Sequence, residues 1–375
     1  MVSSLSNFLK KLSKWDYFPT VRMLAAVAIS FAIVFILVFI VSNDPMNAIK
    51  SLFIVPLTSK RNFIDILSYM VPLVFTALGM NLVLKSGLFN LASDGALYMA
   101  ASVAAVIAIQ WIMPPGVAQL VIIPIAAIIG ASINVVPALL QRLTGASALV
   151  ISIMFNFIFF YLGQFLIRET VLDATTGNHS YPFREAARIP RIIPGQSLHW
   201  GFAIMLVMVV VMYFLVERSK FGYQLRITGL NRAFAKYSGI KVGSVVLAAQ
   251  FIAGLLAGAG GAIQLTGMFE RFNWNLLGQV TYVWDGMLVN ILAVTKPQYI
   301  LIAGFFLGYL RIGSNVMAMR TDVDSELITV IQGIMLVLIS AERFLYFIRK
   351  RREEKLALEA KMQEEKDTAP EEEVV

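Results

Sequence analysis

Residues 85–95 read Lys85-Ser86-Gly87-Leu88-Phe89-Asn90-Leu91-Ala92-Ser93-Asp94-Gly95. Two glycines and a cluster of Asn, Ser and Asp break a stretch that is otherwise apolar on both sides. Upstream, 65–84 is an apolar run long enough to cross a bilayer core of about 30 Å. Downstream, the apolar character resumes and continues to residue 110. Irregular backbone between two such runs is tolerated at membrane depth only where it is buried in protein or lines a cavity. The stretch therefore predicts an all-α, polytopic membrane protein with an interrupted span.

The rest of the chain agrees. Of 375 residues, 58% are hydrophobic and 14% charged, against roughly 45–50% and 25% in soluble proteins. Apolar runs predict ten spans, at 23–41, 65–84, 88–110, 117–140, 147–167, 201–217, 243–267, 281–296, 299–319 and 326–348. Several contain Gly or Pro, so two of them can be half-helices. Met23–Val41 is longer than a signal-peptide core and is followed by no small-residue cleavage site, so it is expected to stay as a span. Leu5, Phe8, Leu9 and Leu12 at helical spacing among lysines predict an interfacial helix in 1–22. The transmembrane domain is expected over 23–348, and 349–375 as a charged, partly disordered tail.

The net charge of +8 is not spread as a nucleic-acid surface. With an inside N-terminus, the predicted inner segments up to Arg352 carry 18 Lys and Arg against 9 outside. That asymmetry favours ten spans with both termini cytoplasmic. No Cys is present, and the two His, His179 and His199, share one polar segment. Thiolate chemistry is excluded, and neither a metal site nor another cofactor is expected. No phosphate-binding Gly-rich loop, H-E-x-x-H or G-x-S-x-G occurs.

Asp-Gly recurs at Asp94-Gly95 and Asp285-Gly286, each at or near the start of an apolar run. In the expected topology the two runs cross in opposite directions. This echo predicts an inverted repeat relating spans 2–5 to spans 7–10. Embedded polar residues cost free energy unless satisfied, so they mark candidate sites. Phe89, Asn90, Asp94, Asn156, Asp285 and Asn290 are the candidate solute-pathway residues. Two readings of the acids stand together: contact with solute, and capping of half-helices. Arg311 is expected to pair with Asp94 or Asp285, because an unpaired buried Arg is costly. Between spans six and seven, Asn231 can cap a short helix over 232–238 that Gly239 ends. Such a helix suits docking to another protein, or a basic loop against anionic lipid.

With these motifs assembled, the chain resembles the permease subunits of bacterial ABC importers in the branched-chain amino acid/ribose permease group. The similarity lies in Gly87-Leu88-Phe89-Asn90 with Asp94-Gly95, and in Gly229-Leu230-Asn231 through Ala235, Tyr237 and Gly239-Ile240. Gly254, Ala257-Gly258, Gly261-Ala262-Ile263 and Trp284-Asp285-Gly286 continue it. Asp94 stands where the family usually shows Glu. The resemblance implies a transport subunit with no catalytic residues of its own in the cytoplasmic membrane. Its implied partners are an ATP-binding cassette ATPase, often with tandem cassettes, a second related permease and an outer solute-binding lipoprotein. Gly229, Asn231, Ala235, Tyr237 and Gly239 would form the ATPase-coupling segment, and 168–200 would meet the lipoprotein. The implied solute is a nucleoside or related purine, with a simple sugar as the alternative. Asp94 and Asp285 also leave open an ion-coupled transporter or a membrane enzyme using them as a pair, although an enzyme would gather more ionisable groups.

Overall fold

A backbone in hydrocarbon must satisfy its own polar groups, which leaves helices as the solution for apolar runs of this length. The computed structural model describes residues 42–175, 177, 179–273 and 282–324, with separate positions in 29–40 and 329–334. The chain forms two compact units, Val38–Ile328 and one made of Met1–Leu37 with Thr329–Val375. In chain order the first unit holds α1 (Pro45–Phe53), α2 (Val55–Thr58), α3 (Lys60–Lys85) and α4 (Ser93–Gln110). Next come α5 (Val117–Thr144), α6 (Ala148–Thr170), α7 (Gly201–Tyr213), α8 (Lys220–Leu230) and α9 (Arg232–Tyr237). The last are α10 (Val242–Met268), α11 (Tyr282–Leu292) and α12 (Ile300–Arg320).

Seven helices among the described residues are long and apolar enough to cross a membrane. They are α3, α4, α5, α6, α7 with its continuation to Arg218, α10, and α12 with the turn Pro297–Tyr299 before it. Each coincides with an expected span. Spans 23–41 and 326–348 are described only at separate positions, and 1–22 and the tail 349–375 lie outside the described residues. Within the run 281–296, one of those that can be a half-helix, the described residues hold α11 with 11 residues, about 16 Å of helix against a core of about 30 Å. It ends because Val294 and Thr295 take φ of 52° and 53°, in the left-handed region. One expectation needs correction: the connection between spans six and seven holds more than the one short helix expected over 232–238. Ser219 accepts a hydrogen bond from Gly222 N–H at 3.0 Å and starts α8, which runs up to the expected short helix.

Helix α3 is buried on all sides, with nearly every residue from Ile64 to Val83 enclosed. It carries no apolar stripe because no face meets water. Pro72 inside it leaves a gap in the backbone ladder, and Thr76 Oγ1 nearby donates to Tyr282 O at 2.8 Å. Helix α10 packs against α5, α3 and α4. Its contact with α5 is backbone on backbone. A Cβ on Gly130 would lie 2.5 Å from Gly254 O, and one on Gly258 would lie 2.3 Å from Ala126 O. Helix α6 is the reverse case, burying only Ala148, Ser152, Gly163 and Ile167.

The segment after α6 is tied down by the end of α10 and the chain beyond it. Ser180 N–H donates to Phe272 O, Phe183 N–H to Glu270 O and Ile189 N–H to Thr266 O, all within 3.0 Å. His199 closes the segment. Its ring is fully buried, and Nδ1 accepts from Gly201 N–H at 3.1 Å. Gly267 leaves room for it, since a Cβ there would lie 2.5 Å from Nδ1. Burial, with Arg191 adding to it, pushes the imidazole down to about 4. The unfolded chain, near 6.5, therefore binds the extra proton first as pH falls. Stability should be full above pH 6.5 and drop by about 2 kcal/mol between pH 7 and 5. Thermal melting of the detergent-purified protein across that range checks this, with His199→Asn expected to flatten that part of the profile. An unchanged profile in the variant would assign the pH dependence elsewhere.

Candidate functional site

The broken segment 86–92 is held by a buried amide network. Asn90 Nδ2 donates to Asn134 O at 2.8 Å and to Gln250 Oε1 at 2.9 Å. Asn90 Oδ1 accepts from Ala92 N–H at 2.9 Å. Asn134 Nδ2 donates to Gln250 O at 2.7 Å, and Ser93 Oγ to Asn134 Oδ1 at 2.9 Å. Gln250 Nε2 reaches Leu88 O at 3.2 Å, and Leu91 N–H reaches Ser152 Oγ at 3.0 Å. Peptide groups that leave the helix here thus find partners from α6 and α10, and the Asn90 side chain is held by α5 and α10. Asn90, Asn134 and Gln250 have no exposed surface. Phe89 packs, half-buried, on Met80, Val83, Leu91, Ala253 and Val283.

The two broken elements meet at their helix starts. Asp94, in the first turn of α4, accepts from Val283 N–H in the first turn of α11 at 3.2 Å. Two helix N-termini, each carrying partial positive charge, are thereby set around acids. Gly95 N–H donates to Asn156 Oδ1 at 2.9 Å. A Cβ on Gly95 would lie 2.8 Å from Asn156 Cα, and one on Gly286 would lie 2.4 Å from Thr76 Oγ1. At both places the glycine lets a neighbouring helix close in, while of the two acids Asp94 is the one that accepts from the start of another helix.

Asp285 pairs with Arg311, not Asp94 with Arg311. Arg311 Nη2 lies 3.2 Å from Asp285 Oδ2. Tyr69 Oη donates to the same carboxylate oxygen at 3.2 Å and accepts from Arg311 Nε at 3.3 Å. At the other end of α11, Asn290 Oδ1 accepts from Asn81 Nδ2 at 2.7 Å. The second Asn81 N–H donates to Thr295 O at 2.8 Å, inside the left-handed turn. Among the described residues, no three His, Asp or Glu side chains gather as a metal site requires.

The α8–α9 pair touches the first break directly. Gly87 takes φ of 66°. A Cβ on Gly229 would lie 2.2 Å from Lys85 O, and one on Gly87 would lie 3.3 Å from Gly229 Cα. Arg232 Nη2 donates to Gly87 O at 2.8 Å. Lys85 Nζ pairs with Glu217 at 2.9 Å, and Arg226 shares that acid at 3.3 Å. Asn231 caps α9 by accepting from Phe234 N–H at 3.0 Å. Ala235 is buried, and Gly239 turns the chain with φ of 79°. Leu230, Phe234 and Tyr237 project outward, Tyr237 with 92% of its surface exposed.

The expected residues thus fall into two groups. Asn90, Asp94, Asn156 and Asp285 lie around the meeting of α4 and α11, with Asn290 at the far end of α11. Gly229, Asn231, Ala235, Tyr237 and Gly239 form the exposed helical pair. Sequence reasoning missed Asn81, Tyr69 and Glu217. Asn81 inside an apolar run and Glu217 at the end of one were visible signals. Tyr69 was not, since tyrosine is ordinary in membrane helices.

Seven helices long and apolar enough to cross a membrane, with two broken elements whose helix starts meet, are the features of a multi-pass membrane protein of transporter type. Comparison with known proteins then gives its kind. The chain belongs to the family described as the branched-chain amino acid transport system permease component, whose profile matches residues 62–340. It is 25% identical to the nucleoside ABC transporter permease protein NupB of Lactococcus lactis, over 85% of this chain and 90% of that one. It is 27% identical to the glucose ABC transporter permease protein TsgB13 of Haloferax volcanii, over 87% of each. The guanosine ABC transporter permease protein NupP of Bacillus subtilis is 25% identical, over 74% of this chain and 80% of that one.

Proposed function

We propose that the chain is the membrane subunit of an ATP-driven importer that admits a nucleoside or related purine compound. The observation that carries this is the direct contact of the α8–α9 pair with the broken segment, through Gly229 on Lys85 and Arg232 on Gly87. An exposed, capped helix with outward Leu230, Phe234 and Tyr237 suits insertion into a groove of a separate ATPase. Movement of that helix then acts on residues 85–92, and through Asp94 on the start of α11. ATP hydrolysis belongs to the partner, in one chain with tandem cassettes or in two.

A second permease subunit completes the channel, and a solute-binding lipoprotein delivers solute near 168–200. Phe89, Asn90, Asp94, Asn156, Asp285 and Asn290 set the broken helices beside the path. Of these, Asp94 and Asn156 are the two hydrogen-bonding side chains incompletely buried, and so the first to meet solute. Two relatives carry nucleoside or guanosine in their names, which favours the purine reading. The glucose permease keeps a simple sugar as the second reading.

Uptake of labelled guanosine and glucose into vesicles carrying the complete transporter tests both. Uptake should require ATP and survive proton and sodium ionophores. Gly239→Pro, or deletion of 230–239, should lower it at least about tenfold while the ATPase continues to hydrolyse ATP. Uptake abolished by ionophore with ATP present would sink the proposal in favour of ion coupling through Asp94 and Asp285.

A further inference from the structure

We propose that the cleft between the end of α7 and the α8–α9 pair binds the phosphate headgroup of an anionic membrane lipid. The cleft has a volume of about 500 Å³ and is lined by Arg218, Lys220, Tyr223, Gln224, Ile227 and Ser238, with Ser219 and Ile240 completing it. Among the described lining residues two are cations and none is a carboxylate. The adjacent acid, Glu217, is committed to Lys85 and Arg226. Tyr223, Gln224 and Ser238 add hydrogen-bond donors, and the two isoleucines give an apolar floor. That is the chemistry of a phosphate attached to an apolar body.

The position of the cleft selects lipid over a free phosphate. Val207, Val211 and Phe214 are exposed at helical spacing along α7, and Arg218 follows four residues after Phe214. An exposed apolar stripe on a crossing helix faces acyl chains. Arg218 therefore stands where that stripe reaches headgroup depth, with Lys220 beyond it. The turn that brings it there is π-helical, Phe214–Arg218, a local insertion often found at functional sites. One wall of the cleft is α8, through Lys220, Tyr223, Gln224 and Ile227, the helix that also carries Arg226 and Gly229. A lipid headgroup seated there would hold the α8–α9 pair to the membrane surface, independently of which solute is carried.

The test uses the full-length protein purified in mild detergent, incubated with phosphatidylglycerol or phosphatidylcholine and examined by native mass spectrometry. The wild type should retain phosphatidylglycerol preferentially. R218Q/K220Q should weaken that retention on the order of tenfold. R218K/K220R should keep it, and so should K50Q/K60Q, which removes the same charge elsewhere. Equal retention by R218Q/K220Q and wild type would overturn the proposal. So would displacement of the lipid by millimolar inorganic phosphate, which would make the cleft a free-phosphate site. A cleft that instead belongs to an ATPase subunit would give the opposite pattern, with R218Q/K220Q losing that complex and leaving lipid retention unchanged.

Discussion

Arg311→Met should destabilise the protein by about 3–5 kcal/mol. Methionine keeps much of the apolar stem of arginine, so lost packing is a minor part of this. The cost arises because Asp285, with only 5% of its side chain exposed, would be left with Tyr69 as its one donor among the described residues and must either carry an uncompensated charge or take up a proton. Tyr69 itself would lose the guanidinium that now donates to its oxygen. The double variant D285L/R311M should recover most of the loss, since replacing both members of a buried pair with apolar groups is near neutral. Melting of the purified protein in detergent, followed by intrinsic fluorescence, measures both. A double variant less stable than the single one would mean that the pair contributes net attraction, and the argument from an uncompensated charge would fail.

Gly258→Leu should prevent accumulation of folded protein, with a cost above about 4 kcal/mol. Here the obstacle is backbone, which cannot rotate aside. A Cβ at this position already lies 2.3 Å from Ala126 O and 3.0 Å from Ala126 C. Relief requires α5 and α10 to part, and parting them exposes the Gly130–Gly254 contact as well. Gly258→Ala should cost less, about 1–3 kcal/mol, as one methyl forces a smaller shift. Expression level and melting temperature rank the two variants. A leucine variant as stable as wild type would show that the helices do not touch at this point.

These two sites also show what the sequence could and could not reveal. That residues 254–261 favour close packing is readable from their glycine spacing, but nothing in it says that α5 is the partner. Arg311 needed an acid, and two were available. Choosing Asp285 required knowing that Tyr69 stands beside it, from a helix over 200 residues away in sequence. The broken segment was legible because Gly, Asn, Ser and Asp interrupt an apolar run. The short length of α11 was not, because its end is made by Val294 and Thr295. Such β-branched residues are among the least disposed to positive φ, so local composition gives no warning. Helix α8 was hidden for a different reason. Its basic, glycine-containing sequence reads as a surface loop, yet the Ser219 cap and the burial of Leu225 and Thr228 hold it helical.

The meeting of Gly87 and Gly229 has a mechanical consequence. Two side chains in contact can absorb a displacement of an ångström or more by changing rotamer, as a worn gear takes up play. Two glycines at van der Waals distance have no rotamers to change. With Arg232 fastened to the carbonyl of Gly87 at 2.8 Å, the junction resists being pulled as well as pushed. On the coupling proposed above, a push on α9 would reach the broken helix with almost no backlash, and the stroke available there would be set by the partner ATPase rather than by slack in the linkage.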